Sequence, residues 1–231
     1  MPHPSEIEAV VFDVLGTMVD EPGGLRAAIR DAAPASDEDS LDELLAVWQD
    51  HVAHEQERIE KGERAYAESV TVDREAAHRV AERAGITDPT AVARLATASR
   101  RLSPWDDSAA GLARLARHFP VLGLSHASRA ALLRLNAYAG LRWHQALSAE
   151  DARAYKPAPE VYRLALDAAG CPPERTLMVA AHAWDLHGAQ AVGMRTAYVR
   201  RPGGDPPKDS DAFTWYADGL DELATTLTAE R

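Results

Sequence analysis

The chain has 231 residues, 46% hydrophobic and 26% charged, which suits one α/β domain carrying an insert, or two small domains, of an ordinary globular protein. Its formal net charge of −11 argues against a nucleic-acid partner, because neutralising phosphates takes clustered Lys and Arg; a small anionic substrate stays open, since a local pocket can be positive on an acidic surface. The single cysteine, Cys171, excludes an intramolecular disulfide and fits a reducing compartment, and with no signal-peptide pattern in MPHPSEIEAV and no apolar run near the ~20 residues of a spanning helix, a cytoplasmic protein without membrane contact is expected.

In chain order, residues 8–15 (EAVVFDVL) read as a short buried strand. From about Leu25 to Arg101 strand signal is scarce. Leu41, Leu44, Leu45, Trp48 and Val52 recur at helical spacing, as do Ala76, Ala77, Val80 and Ala84, followed by Val92 and Leu95, and ITDPT punctuates two of these helices. After Ser103-Pro104-Trp105 an α/β rhythm sets in. A helix over 109–118 is followed by a strand at 120–125, a helix over 128–139 closed by Gly140, and a short strand within 144–150. A helix over 159–169 ending at Gly170, a strand at 176–181, a helix from Ala183 and a strand at 196–199 complete it, and RPGGDPPKDSDAF beyond Arg200 is loop-like. Such alternation implies a parallel sheet with right-handed crossovers, whose chemistry gathers beyond the carboxyl ends of the strands. Asp13, Ser125 and the 180–185 segment all fall at such ends.

Each of these residues is ambiguous alone. Asp13, followed by Gly16 for a tight bend and Thr17 for a hydroxyl, is either a turn-capping acid or a mounted carboxylate nucleophile. Lys156, in a loop stiffened by Pro157 and Pro159, is either a surface lysine or the cation that keeps an aspartate ionised. Ser125, just before the helix start at Ser128, suggests an anion site with free amides, and Asp185 sits in a first helical turn where acids are favoured. Tyr162 reads as core. The i, i+5 spacing of His182 and His187 does not put them on one helix face, so a zinc site is not expected.

Taken in order, Asp13 with Gly16-Thr17, Ser125, Lys156-Pro157 and Asp185 resemble the four motifs of the haloacid dehalogenase superfamily. The resemblance implies a Rossmann-like, doubly wound parallel sheet formed by 1–20 and 103–231, with a helical cap domain, 21–102, inserted after the first strand. Most members of that superfamily are magnesium-dependent phosphatases with a second aspartate two residues after the nucleophile, where this chain has Leu15. An apolar residue there suits a leaving group that needs no proton. The segment Val179-Ala180-Ala181-His182-Ala183-Trp184-Asp185 and the pairing of Tyr155-Lys156-Pro157 with Tyr162 are similar to the 2-haloacid dehalogenase group.

That resemblance implies a metal-free and cofactor-free hydrolase of short 2-haloalkanoic acids, working through an aspartyl ester and giving 2-hydroxy acids. It makes Asp13 the nucleophile, with Thr17 hydrogen-bonded to it and Lys156 as electrostatic partner. Asp185 orients the hydrolytic water and the lysine, Ser125 binds the substrate carboxylate, and Leu15, Tyr162 and Trp184 belong to the substrate site. Departures stand beside it. Gln49 aligns with the arginine that accepts halide, His126 replaces an asparagine, and Ala180 and His182 replace a serine and an asparagine. A protonated His126 for the anion, His182 for water, and Arg26 or Arg30 for the missing guanidinium are the expected substitutes. A magnesium-dependent phosphohydrolase or phosphonate hydrolase, and a degenerate binder of a small anion or protein, are the alternatives. The family also implies a homodimer.

Overall fold

The computed structural model describes residues 3–229, and in it the apolar run before Asp13 becomes the strand β1 (Ala9–Asp13), buried at every position. β1 lies inside a six-stranded parallel sheet with β2 (Val121–Ser125), β3 (Gln145–Ser148), β4 (Thr176–Ala180), β5 (Arg195–Val199) and β6 (Trp215–Ala217), in the order β3-β2-β1-β4-β5-β6. β1 pairs with β2 on one side and β4 on the other, so the carboxyl ends of all three open onto one edge of the sheet.

Alternation along the strands divides the core into two layers. Val10 and Phe12 face a cluster with Leu112, Leu115, Leu132, Leu135, Leu220 and Leu223. These come from α5 (Ser108–Leu115), α6 (Arg129–Ala139) and α9 (Leu220–Thr228). Val11 faces the other way, onto Val161, Tyr162 and Leu186 of α7 (Pro159–Ala169) and α8 (Ala183–Ala191). Helices therefore cover both faces, and the doubly wound expectation holds.

Between β1 and β2 stand α1 (Glu21–Ala32), α2 (Glu38–Glu60), α3 (Ser69–Ala84) and α4 (Pro89–Leu95). They have a core of their own, in which Leu25, Ile29, Leu41, Leu44, Trp48, Val80 and Leu95 are buried. At about 1.5–3 kcal/mol for each large apolar side chain fully buried, this cluster is what keeps the four helices packed together. Two hydrogen bonds tie this segment to the rest of the chain: Ser128 N–H donates to Ser69 Oγ at 2.8 Å and Tyr155 Oη–H to the Ala67 carbonyl at 2.8 Å; beside them, outside the insert, Trp105 Nε1–H donates to the Gly16 carbonyl at 3.1 Å.

The sequence reading stopped short at the carboxyl-terminal end. Residues 201–213 lie outside regular helix and strand, as expected, but β6 and α9 follow them and were not anticipated. A three-residue edge strand is too short for its alternation to register, whereas Leu220, Leu223, Ala224 and Leu227 do carry a helical stripe that buries against α5.

One close approach joins the fold to the site. A methyl group at Gly188 of α8 would lie 2.3 Å from Tyr162 Oη and 2.7 Å from its Cζ, and Tyr162 is fully buried. Overpacking of this kind costs about 1–3 kcal/mol, against about 1 kcal/mol gained in helix propensity on replacing Gly by Ala. Gly188→Ala is expected to lower the urea midpoint, with a net loss of up to about 2 kcal/mol. An unchanged midpoint would show that Tyr162 moves aside without cost.

Candidate active site

The site is built outward from the tip of β1. Asp13 ends the strand, and the chain then bends at Gly16, whose φ of +77° is left-handed. A Cβ there would sit 2.7 Å from His182 Cε1, so both backbone and space require glycine. The bend is pinned by the Trp105 bond to Gly16 and by Arg201 Nε–H donating to the Thr17 carbonyl at 2.9 Å. Thr17 turns back. Its hydroxyl accepts Ala181 N–H at 2.9 Å and donates to Asp13 Oδ2 at 2.7 Å, locking the carboxylate to the end of β4.

Lys156 reaches the same point from the loop before α7. Its Nζ donates to Asp13 Oδ1 at 2.9 Å and to Asp185 Oδ2 at 2.7 Å. Tyr162 Oη–H donates to Asp185 Oδ1 at 2.7 Å, and His182 Nδ1 lies 3.2 Å from Asp13 Oδ2. A carboxylate only accepts, so His182 Nδ1 carries the proton. All four carboxylate oxygens are thus engaged by donors, and an ammonium already bridges the two acids. Among the described residues no cluster of three or more His, Cys, Asp or Glu is arranged to hold a metal ion.

Charge states follow from these contacts. Burial alone would raise Asp13, but Lys156, His182 and Thr17 together hold it well below the usual carboxylate range. Burial likewise opposes the charge on Lys156, and the two carboxylates more than compensate, so it stays protonated. Asp185, sealed from water, is pushed up. His182 is raised because Asp13 outweighs its desolvation. His126 behaves oppositely: burial, reinforced by the Lys156 charge, lowers it to about 3, and its Nε2 accepts Lys156 N–H at 2.9 Å.

A cavity of about 340 Å³ opens above Asp13, between the sheet edge and the four inserted helices. Of the residues expected at the site, Asp13, Leu15, Gln49, His126, His182 and Trp184 line it. Trp184 lies near both imidazoles, with ring centres 6.1 Å from His126 and 5.8 Å from His182. Thr17, Lys156, Tyr162 and Asp185 lie beneath, each at most 5% exposed, and form the support rather than the wall. Tyr162 therefore contacts Asp185 and does not line the cavity.

Four expectations need correction. Ser125 is fully buried, is absent from the cavity wall, and its Oγ accepts Ala127 N–H at 3.1 Å, so it shapes the turn. The amides at the start of α6 are not free: Ser69 Oγ takes Ser128 N–H, Glu150 takes Arg129 N–H and Ser128 Oγ takes Ala131 N–H. His126 is neutral rather than protonated, because its Nε2 lone pair is used by a backbone donor in a desolvated place. Arg26 and Arg30 point away, into ion pairs with Glu38 and Asp42.

Two acidic wall residues were missed. Glu21 opens α1, where an acid looks like an ordinary helix-dipole partner. Asp73 sits four residues after Ser69, so the two share a polar stripe of α3 that runs beside its apolar one, and that spacing was the available signal. Ser99 Oγ–H donates to Asp73 at 2.8 Å.

Removing the bridging cation tests the electrostatics. Lys156→Met leaves two buried carboxyls without their partner, which is expected to cost about 3–5 kcal/mol at neutral pH. Their folded-state pKa values then lie above the unfolded value of about 3.9, so the loss grows as pH rises above that value and shrinks towards it. Urea unfolding of both proteins at about pH 4 and about pH 7 measures this; an equal gap at both would contradict it.

The family model for haloacid dehalogenase-like hydrolases matches residues 7–193. An (S)-2-haloacid dehalogenase of Xanthobacter autotrophicus is 31% identical over 199 residues, covering 84% of this chain and 76% of the relative. A defluorinating L-2-haloacid dehalogenase superposes with a TM-score of 0.87 at 28% identity, covering 98% of each chain. The Xanthobacter autotrophicus L-2-haloacid dehalogenase with chloropropionic acid covalently bound superposes with a TM-score of 0.82 at 25% identity, covering 97% of this chain and all of that one, at 100%. With this fold, and with acid, lysine and hydroxyl meeting at the strand ends, the chain belongs to the haloacid dehalogenase-like hydrolases, in the branch of the 2-haloacid dehalogenases.

Proposed function

We propose that this protein hydrolyses short 2-haloalkanoic acids to 2-hydroxy acids through an ester on Asp13. The observation that carries the reading is a carboxylate kept ionised at the cavity floor, with Leu15 rather than an acid beside it. Asp13 attacks the halogen-bearing carbon, a C–O bond forms and the C–halogen bond breaks, and halide leaves with the electron pair. No proton is needed for that departure, which is why Leu15 suffices.

Lys156 and Thr17 keep Asp13 charged and pointed, and the burial of all three strengthens both contacts. His182, protonated beside Asp13, steadies the carboxylate and then the ester carbonyl. Among the wall residues, the Gln49 and Gln56 amides, the Nδ1–H of neutral His126, the Ser69 hydroxyl and the indole N–H groups of Trp48 and Trp184 are donors open to the anionic ends of the substrate. Ser125 contributes by setting the turn that carries His126. Asp185 acts from below, orienting Lys156. In this reading 21–102 serves as the cap over 1–20 and 103–231. A cytoplasmic enzyme fits the cysteine usage, and a homodimer is the family expectation. Among the described residues no helix is long and apolar enough to cross a membrane.

Halide release from chloroacetate and from both 2-chloropropionate enantiomers, in EDTA, is the test. Release is expected, with the (S) enantiomer preferred and Asp13→Asn inactive. A single turnover in heavy-oxygen water should label the Asp13 peptide and leave the 2-hydroxy acid unlabelled. Phosphate release from p-nitrophenyl phosphate with magnesium, and silence on every haloacid, would overturn the reading.

A further inference from the structure

The loop that carries Lys156 also grips the inserted helices, and one side chain joins the two tasks. Tyr155, only 4% exposed, immediately precedes Lys156 in the connection between β3 and α7. Its hydroxyl donates to the Ala67 carbonyl at 2.8 Å, in the 61–68 loop that joins α2 to α3. Its ring meets two others. One is Tyr66 of that loop, with ring centres 5.7 Å apart; the other is His126 of the cavity wall, with centres 5.1 Å apart and the planes at 76°. We propose that Tyr155 is a positioning residue that makes the placement of Lys156 and His126 depend on the seating of the inserted helices, an inference whose catalytic consequence rests on the dehalogenase reading above.

The grip is built from both sides. Among the described residues Arg153 is the one non-glycine in the left-handed region, at φ +50°, and its guanidinium lies 5.6 Å from the centre of the Tyr66 ring. Backbone strain of this sort persists only where the surroundings over-determine it. Tyr66 thus contacts a cation and a second ring, while its neighbour Ala67 accepts the hydroxyl. Burial pushes the Tyr155 hydroxyl well above its ordinary value, so it stays a donor across the working pH range.

Inward from Tyr155 the coupling follows two short routes. The first is the chain itself. Lys156 N–H donates to His126 Nε2 at 2.9 Å, Ala158 N–H donates to the Tyr155 carbonyl at 2.9 Å, and Lys156 Nζ reaches Asp13. The second runs from ring to ring. The His126 imidazole packs against Tyr155 and lies 6.1 Å from Trp184, centre to centre. With Nε2 committed to the backbone, the Tyr155 ring sets the direction in which Nδ1–H faces the cavity. A shift of the 61–68 loop is therefore felt at both Lys156 and His126 through directly touching groups.

Three variants separate these contacts. Tyr155→Phe removes only the bond to Ala67, Tyr66→Leu removes the aromatic contact from the helical side, and Tyr155→Leu removes bond and ring together. With (S)-2-chloropropionate, rapid mixing should show first-turnover halide release slowed about 2–10-fold in each of the first two, the weight of one neutral hydrogen bond or one aromatic pair. In Tyr155→Leu the loss should be about 10²-fold, as for a misplaced catalytic group. Magnetic resonance of the His126 ring gives a readout that a merely structural role would not move. It should stay neutral down to about 3 in the wild-type protein and in Tyr155→Phe, and titrate nearer the ordinary value of about 6.5 in Tyr155→Leu, where the shielding ring is gone.

Variants that unfold at lower urea yet keep the wild-type first turnover and the wild-type His126 titration overturn the proposal. Should Tyr155→Leu fail to fold, an unchanged first turnover in both Tyr155→Phe and Tyr66→Leu overturns it as well. No halide from the wild-type protein sinks the dehalogenase reading instead, and the His126 titration then decides the coupling by itself.

Discussion

One ammonium group, Lys156 Nζ, holds the centre of this molecule together. It sits between two carboxylates, one at the end of β1 and one in the first turn of α8, 2.9 Å from Asp13 and 2.7 Å from Asp185, with a side chain only 1% exposed. At an effective dielectric of ~20 each contact is worth on the order of 5 kcal/mol. Desolvation removes several kcal/mol per ion, so the net gain in stability is small. What the bridge does is settle charge. It makes the sheet edge a place where Asp13 is ionised in a nearly dry setting, and the Thr17 and Tyr162 hydroxyls complete the acceptors that the lysine leaves open.

The two histidines on the wall show how environment divides one residue type into two roles. His182 lies against Asp13 and is driven towards the imidazolium. His126 accepts a backbone donor, is desolvated next to a lysine, and stays neutral to about 3. The same residue type therefore supplies a neutral polar group at 126 and a group biased towards the protonated form at 182. This arrangement places positive charge beside the nucleophile, where negative charge builds during ester hydrolysis.

Much of this was legible in the sequence because the motifs are local. A five-residue apolar run ending in Asp13, Gly16 at a left-handed bend, and a Lys-Pro ahead of a helix are set by contacts a few residues apart. The alternation of strands and helices carried the sheet in the same way. What escaped depends on distance. That Ser128 N–H would be claimed by Ser69, 59 residues earlier in the chain, leaves no local trace, and it turned an expected anion site into a tether between layers. Arg26 and Arg30 failed for a related reason: acids on α2 were nearer than the cavity. Glu21 hid because an acid at a helix start already has a sufficient explanation.

The site is split between two bodies of structure, and this limits how the chain can work. The nucleophile and its cation come from the sheet edge, while Glu21, Gln49 and Asp73 come from the inserted helices. A group placed even 1 Å out of position loses much of its effect on the reaction, so the layers need a fixed spacing. The fixing includes two neutral hydrogen bonds, Ser69 to Ser128 and Tyr155 to Ala67, each contributing about 0.5–1.5 kcal/mol. Bonds of that strength hold the helices in register yet open locally at modest cost, which eases the exit of halide and product. The volume of about 340 Å³ is near the lower end of ligand pockets, about 300–1,000 Å³, and with Trp48, Leu25 and Val52 on its helical side it favours short substrates over long ones.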